Sequence, residues 1–238
     1  MVSGPDFGGK DTFLAGIANA ATQKDQAVYD LKAWWNIHGF HPDPQEVIRT
    51  FPIALAHEPT TIGIGRYLKS ELIGARGERY SARLIAEAFA LDRYQLAEQF
   101  SQPYLKAGGT IIQGRGFIDS LVYQPIAAKR SGERLSREEI EVIRGNALCK
   151  KLLSHLIIVT VDEAELLIDR KRKRKKQDNS WLETLEFQRE VIKEFNSRWI
   201  KEGLDMLKVP LTVINTSGTT VEETLQKGRE FFDKYLAA

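Results

Sequence analysis

The stretch that most constrains this chain is Gly4-Pro5-Asp6-Phe7-Gly8-Gly9-Lys10-Asp11-Thr12, which contains the G-x-x-x-x-G-K spacing of a phosphate-binding loop. Glycines in such a loop let successive backbone N–H groups turn inward around a phosphate. The lysine adds a point charge, and the helix that follows presents its positive end. An alanine-rich, helix-compatible run over 12–22 supplies the context the motif requires. Two irregularities stand out. Asp11 occupies the place where the pattern has Ser or Thr. Only Met1-Val2-Ser3 precede Gly4, which is short for a central strand of a parallel sheet. Either the true start of the chain is missing here, or a three-residue strand suffices. The competing reading is a glycine-rich turn without function.

A loop of this kind belongs in a sheet of parallel strands covered by helices, and the rest of the chain supplies both. Residues 27–31 read as a short strand, 32–38 as a short helix carrying Trp34 and Trp35, and 45–50 as a further helical turn after Pro42 and Pro44. The paired tryptophans read as packing rather than ligand stacking. Continuous apolar runs at 52–56 and 155–161, with 110–113 and 211–215, have the composition of buried parallel strands. Helices are expected over 65–72, 78–107 (one or two), 136–153, 163–170, 180–202 and 221–236. Ser136 with Glu139 has capping-box spacing. The alternation predicts a three-layer α/β/α P-loop NTPase-like fold with a five-stranded parallel sheet, in a single domain over 1–238. There is no internal repeat.

The bulk numbers exclude several alternatives. Net charge is +2 over 238 residues, so bulk electrostatics point to no nucleic-acid partner. A single cysteine, Cys149, excludes an internal disulfide framework and fits a reducing compartment. No apolar run approaches membrane-spanning length and no signal peptide is legible, so a cytoplasmic chain is expected. The four histidines lack the spacing of a structural zinc site.

Several groups are candidates for chemistry. Phe89 and Arg93 lie four apart on one helix face, where a ring and a guanidinium fork can hold a base; a core phenylalanine beside a surface arginine is the alternative. Arg115 ends a strand at the edge where α/β sheets bind ligands, and Ser120, Tyr123 and Gln124 follow it toward the same cleft. The basic run 170–176 reads as a solvated patch, a nucleic-acid tract, or a lid whose arginines neutralise charge in phosphoryl transfer; a phosphate-loop protein favours the third.

Taken together, these stretches resemble the thymidylate kinase family, and the resemblance covers most of the chain. The family's G-x-D-G-x-G-K-S/T-T loop appears as Gly4 to Thr12. Its E-P-T segment appears as Glu58-Pro59-Thr60, and its L-F-x-A-D-R-x-Q helix as Ala88-Phe89-Ala90-Leu91-Asp92-Arg93-Tyr94-Gln95. Its D-R-Y-x-x-S-S-x-A-Y-Q appears as Gly114-Arg115-Gly116-Phe117-Ile118-Asp119-Ser120-Leu121-Val122-Tyr123-Gln124. Four pieces in the same order on one fold are more specific than any one of them.

The resemblance implies transfer of the ATP γ-phosphate to dTMP, giving dTDP for dTTP synthesis, with Mg2+ and in a homodimer. It implies that Gly4, Phe7, Gly8, Gly9, Lys10, Asp11 and Thr12 hold the ATP phosphates, and that Asp6 contacts the acceptor's 3′-hydroxyl. Phe89 would stack on thymine and Arg93 would bond its carbonyl. Arg115 would bridge the acceptor phosphate and the transferred group, with Arg66 or Lys69 as a second phosphate contact. Glu58, Ser120 and Gln124 would line the acceptor site, and Tyr123 would crowd the sugar 2′ position. Arg170 would lie against adenine, with Arg172 and Arg174 in a small helical lid over about 170–182. The segment 27–51 reads as an insertion.

Three departures qualify this. Gly114 stands where the family has a carboxylate that organises magnesium, Asp11 stands where it has a hydroxyl ligand, and His57 replaces an arginine. Asp11 is therefore expected to take over part of the metal binding. Two rivals follow: a kinase for another nucleoside monophosphate, and a catalytically impaired nucleotide-binding protein of the same fold.

Overall fold

The structure, a computed structural model, describes residues 1–73, 80–173 and 184–237. Its frame is one parallel sheet in the order β2-β3-β4-β1-β5-β6. The strands are β1 (Val2–Ser3), β2 (Val28–Asp30), β3 (Ile53–His57), β4 (Thr110–Gly114), β5 (Leu156–Thr160) and β6 (Leu211–Asn215). The sheet has six strands, not five; β2, the short strand read at 27–31, forms its edge beside β3. The brevity of β1 is no obstacle. Val2 pairs with Gly114 on one side and Ile157 on the other, and both of its residues are buried.

Alternation along β5 shows why the sheet is covered on both faces. Leu156 and Ile158 pack into one cluster with α7 (Phe117–Arg130) and α11 (Leu185–Phe195). Ile157 and Val159 pack into another with α1 (Lys10–Gln23) and α13 (Val221–Tyr235). A β-carbon on Gly16 would collide with the Leu225 carbonyl, and one on Gly228 with the Phe13 carbonyl, so α1 and α13 pack backbone to backbone. A third cluster joins α2 (Leu31–His38), α3 (Pro44–Ile48) and α6 (Gln102–Lys106) to β3. Trp35 is fully buried there, and Trp34 stacks on His38 at 3.6 Å, both packing roles. Among the described residues no helix is long and apolar enough to cross a membrane.

The remaining helices are α4 (Gly63–Tyr67), α5 (Ala82–Leu96), α8 (Arg137–Glu141), α9 (Arg144–Leu152), α10 (Ala164–Lys173) and α12 (Arg198–Leu207). Two long helices expected from the sequence are split. The 136–153 segment breaks at Ile143, whose backbone turns extended (ψ 130°), giving α8 and α9. The 180–202 segment, as far as it is described, breaks at Ser197, which is extended (φ −80°, ψ 152°) and whose hydroxyl donates to the Glu194 carbonyl at 2.5 Å. Local hydrogen bonding by Ser competes with helix continuation.

Candidate active site

The carboxyl ends of β1, β3 and β4 converge on one edge of the sheet. The loop after β1 is shaped by glycine. Gly4 sits at φ 144°, and a β-carbon there would collide with the Val159 carbonyl. Gly9, the residue before α1, sits at φ 95°. α1 has no side-chain cap, whereas Asp30, Asp43, Ser81, Ser136, Thr184 and Thr220 cap α2, α3, α5, α8, α11 and α13. A helix start without a side-chain cap is the kind that suits an anion.

Lys10 is buried, its ammonium donating to the Gly4 and Pro5 carbonyls at 2.8 and 2.5 Å. Burial, reinforced by Arg115, lowers it to about 8 against the pull of Asp6, Asp119 and Asp11. Asp11 is exposed on the first turn, with Thr12 half-buried behind it.

Arg115, at φ 68° in the left-handed region, donates its backbone N–H to Val2 O at 2.8 Å and its guanidinium to Asp6. Burial works to raise Asp6, but the Arg115 and Lys10 charges outweigh it and hold the carboxyl below its ordinary value. The Asp6 backbone N–H donates to Tyr123 Oη at 2.9 Å.

The base side is built differently. Arg93 is 2% exposed. Its Nε and Nη2 both bond Glu58 Oε2, at 2.7 and 2.6 Å, Nη2 also donates to Ser120 Oγ at 3.2 Å, and Nη1 donates to Asn146 Oδ1. A guanidinium has five N–H donors, so a single Nη1 hydrogen is left. Gln124 Nε2 donates to Ser120 Oγ at 3.1 Å. Phe89 is half-buried beside this group on α5. Glu58, which the resemblance places at the acceptor site, is 2% exposed, bonded to Arg93 and held by Gln113 Nε2 at 2.5 Å. Burial pushes Glu58 up to about 7, with Arg93 opposing.

The two halves meet through α7 and β4. Ser120 and Tyr123, one turn apart on α7, touch Arg93 and the phosphate loop respectively. Gln113 spans Glu58 and the Arg115 carbonyl, the latter at 3.1 Å. Arg66 and Lys69 lie exposed, Arg66 on α4 and Lys69 in the turn after it, and Arg66 Nε donates to Thr61 O at 3.4 Å. Arg170 is bound to the loop, donating to Phe7 O (3.3 Å), Thr216 Oγ1 (3.0 Å) and Thr216 O (2.7 Å). Arg172 faces away and pairs with Asp169 at 3.6 Å on the surface. Arg174 and most of the expected lid lie outside the described residues.

Gly114 has little room for a side chain as its neighbours stand. It is paired in register with His57 across β3 and β4, and a β-carbon there would sit 3.0 Å from His57 Nδ1 and 2.9 Å from Leu14 Cδ1. Burial, then Arg115, lowers His57 to about 3, so the ring is neutral. Among the described residues, no three His, Cys, Asp or Glu side chains gather as a metal cluster. Mg2+ does not require one, since one or two carboxylates and the nucleotide phosphates complete its usual shell.

Sequence reasoning missed Gln113, Asn146, Asp119 and Thr216. Asp119 Oδ2 accepts from Ser3 Oγ at 2.7 Å and Gly116 N at 2.9 Å, tying α7 to β1. An asparagine inside a helix, next to a glycine, was the only signal for Asn146.

A parallel sheet with a glycine-rich loop and an adjoining basic edge defines a P-loop phosphotransferase fold. The sequence model of the thymidylate kinase family matches residues 45–209, and the chain belongs to that family. Membership supports a nucleotide-binding kinase. A thymidylate kinase from Candida albicans, described with broad substrate specificity and a novel structural element, is similar in structure: TM-score 0.56, 16% identity, over 88% of this chain and 91% of that one. No curated protein matches the chain.

Proposed function

We propose that the protein transfers the γ-phosphate of ATP to dTMP, with Mg2+. The observation that carries this reading is the bridge made by α7: Tyr123 touches the phosphate loop and Ser120 touches Arg93, which supports a phosphate site and a base site within reach of one another.

Phosphoryl transfer asks a protein for positioning and charge neutralisation rather than covalent chemistry. The α1 amides and Lys10 hold the donor's phosphates; Lys10 exchanges two loop carbonyls for them. Asp11 would hold Mg2+, which would supply charge neutralisation for the donor's phosphates. Arg115 leaves Asp6 to meet the acceptor phosphate, freeing Asp6 for the sugar 3′-hydroxyl. Phe89 stacks on the base, and Tyr123 closes off the 2′ position. Arg170 flanks the adenine side. The family's typical homodimer and a cytoplasmic location are part of this proposal.

A second reading, another nucleoside monophosphate as acceptor, rests on His57 and Gly114, which stand where the family has an arginine and a carboxylate. A coupled assay with ATP and a panel of nucleoside monophosphates tests both. Turnover with dTMP above the others supports the proposal, turnover with another monophosphate selects the second reading, and ATP binding without turnover refutes both in favour of an impaired protein.

A further inference from the structure

Asn146 lies on α9, in none of the stretches that carry the family resemblance, and is fully buried. Both ends of its amide are used. Oδ1 accepts from Arg93 Nη1, and Nδ2 donates to the Ile140 carbonyl at 2.6 Å. The orientation is forced by chemistry: a guanidinium can only donate and a carbonyl can only accept, so a flipped amide would satisfy neither. The neighbouring residue makes this approach possible. A β-carbon on Gly145 would collide with the Ala90 carbonyl and sit 3.1 Å from Tyr94 Cβ, so α9 rests directly on the α5 backbone one turn before Arg93. An asparagine is a poor helix former, and burying its amide has a desolvation penalty that an aliphatic side chain avoids. Glu58 grips one side of the guanidinium and Asn146 the other.

We infer that Asn146 is a positioning residue for the acceptor base, fixing the Arg93 guanidinium so that its one remaining N–H is presented to the ligand. The inference deepens the kinase proposal and rests on it. Asn146 touches neither nucleotide; it acts through Arg93. Glu58 and Ser120 hold the Nε–Nη2 edge of the guanidinium, and Asn146 holds Nη1.

Two variants separate this role from simple packing. Asn146→Ala removes the acceptor from Arg93; Asn146→Asp keeps it but cannot donate to Ile140. The expected result for Asn146→Ala is a rise of about tenfold in KM for the acceptor nucleotide, with kcat and KM for ATP within about twofold. Asn146→Asp is expected to hold acceptor KM within about threefold of the parent. Equal damage in both variants, or an unchanged acceptor KM in a folded Asn146→Ala, overturns the inference. Should Asn146→Ala fail to fold, Asn146→Asp decides, and a rise of about tenfold or more overturns it. If the parent shows no turnover, the kinase reading has failed, and calorimetric titration with nucleoside monophosphates takes over. Selective loss of monophosphate affinity in Asn146→Ala, with ATP affinity retained, supports the positioning role; no selective loss, or no monophosphate binding by the parent, overturns it.

Discussion

The phosphate side and the base side of the cleft are opposite kinds of construction. On the proposed phosphate side, Lys10 rests on two neutral loop carbonyls, α1 carries no side-chain cap, and the Arg115 guanidinium pairs with Asp6 at a partly exposed edge. Each of these arrangements is provisional and a polyanion can replace it. On the base side, Arg93 is enclosed by a carboxylate, an amide and a hydroxyl at 2% exposure. On the proposed reading that set stays in place and presents one donor. A site that must take up and release charge keeps its cations exchangeable. A site that must recognise a shape keeps its cation fixed.

The sharpest way to break this comparison is to remove each cation. Lys10→Met should lower kcat by about 10³-fold with little change in melting temperature, because its partners are loop carbonyls; steady-state kinetics and a thermal melt read both. Arg93→Leu should instead cost about 3–5 kcal/mol of stability, since Glu58 is left buried without its partner, and denaturant unfolding measures it. Were Lys10→Met the destabilised variant and Arg93→Leu the stable one, the contrast would be reversed.

Smaller effects sharpen it. Asp11→Ser should raise the magnesium concentration needed for half-maximal rate, and an unchanged requirement would remove Asp11 from the metal site. Lys10 stands at about 8 without a ligand. A polyphosphate raises it, so ATP binding at about pH 8.5 should take up part of a proton. Calorimetry in two buffers of different ionisation enthalpy measures that uptake, and Lys10→Met should abolish it. His57 is lowered to about 3 from 6.5, so the folded chain resists its protonation. Its contribution to stability is present above 6.5 and is lost as pH falls toward 3. Replacing it with Asn should flatten part of the acid limb of a stability–pH curve. His41, also lowered by burial, to about 4, accounts for a further part.

The phosphate side was the more legible half in the sequence, because its function is written in contiguous residues. Glycines at 4, 8 and 9, a lysine at 10 and a helix-forming run state the loop's geometry locally. The strands were legible for a similar reason: buried parallel strands are continuous apolar runs, as at Leu156–Thr160. The base side is assembled from residues far apart. Arg93 meets Glu58 across 35 positions and Asn146 across 53, and no local pattern records such a meeting. Gln113 looked like an ordinary strand residue, and Gly114 looked like a defect. Only the register of β3 and β4 shows that His57 fills the space a side chain at 114 would need. The split helices were missed because Ile143 and Ser197 carry no proline or glycine to announce a break.

The measurement closest to the central claim uses a single molecule that occupies both halves, adenosine joined to thymidine through a chain of phosphates. If Lys10 and Phe89 serve one cleft, this compound should bind about 100-fold or more tightly than ATP or dTMP alone. Lys10→Met and Phe89→Ala should each weaken it. An affinity no better than that of ATP, unaffected by Phe89→Ala, would contradict the account.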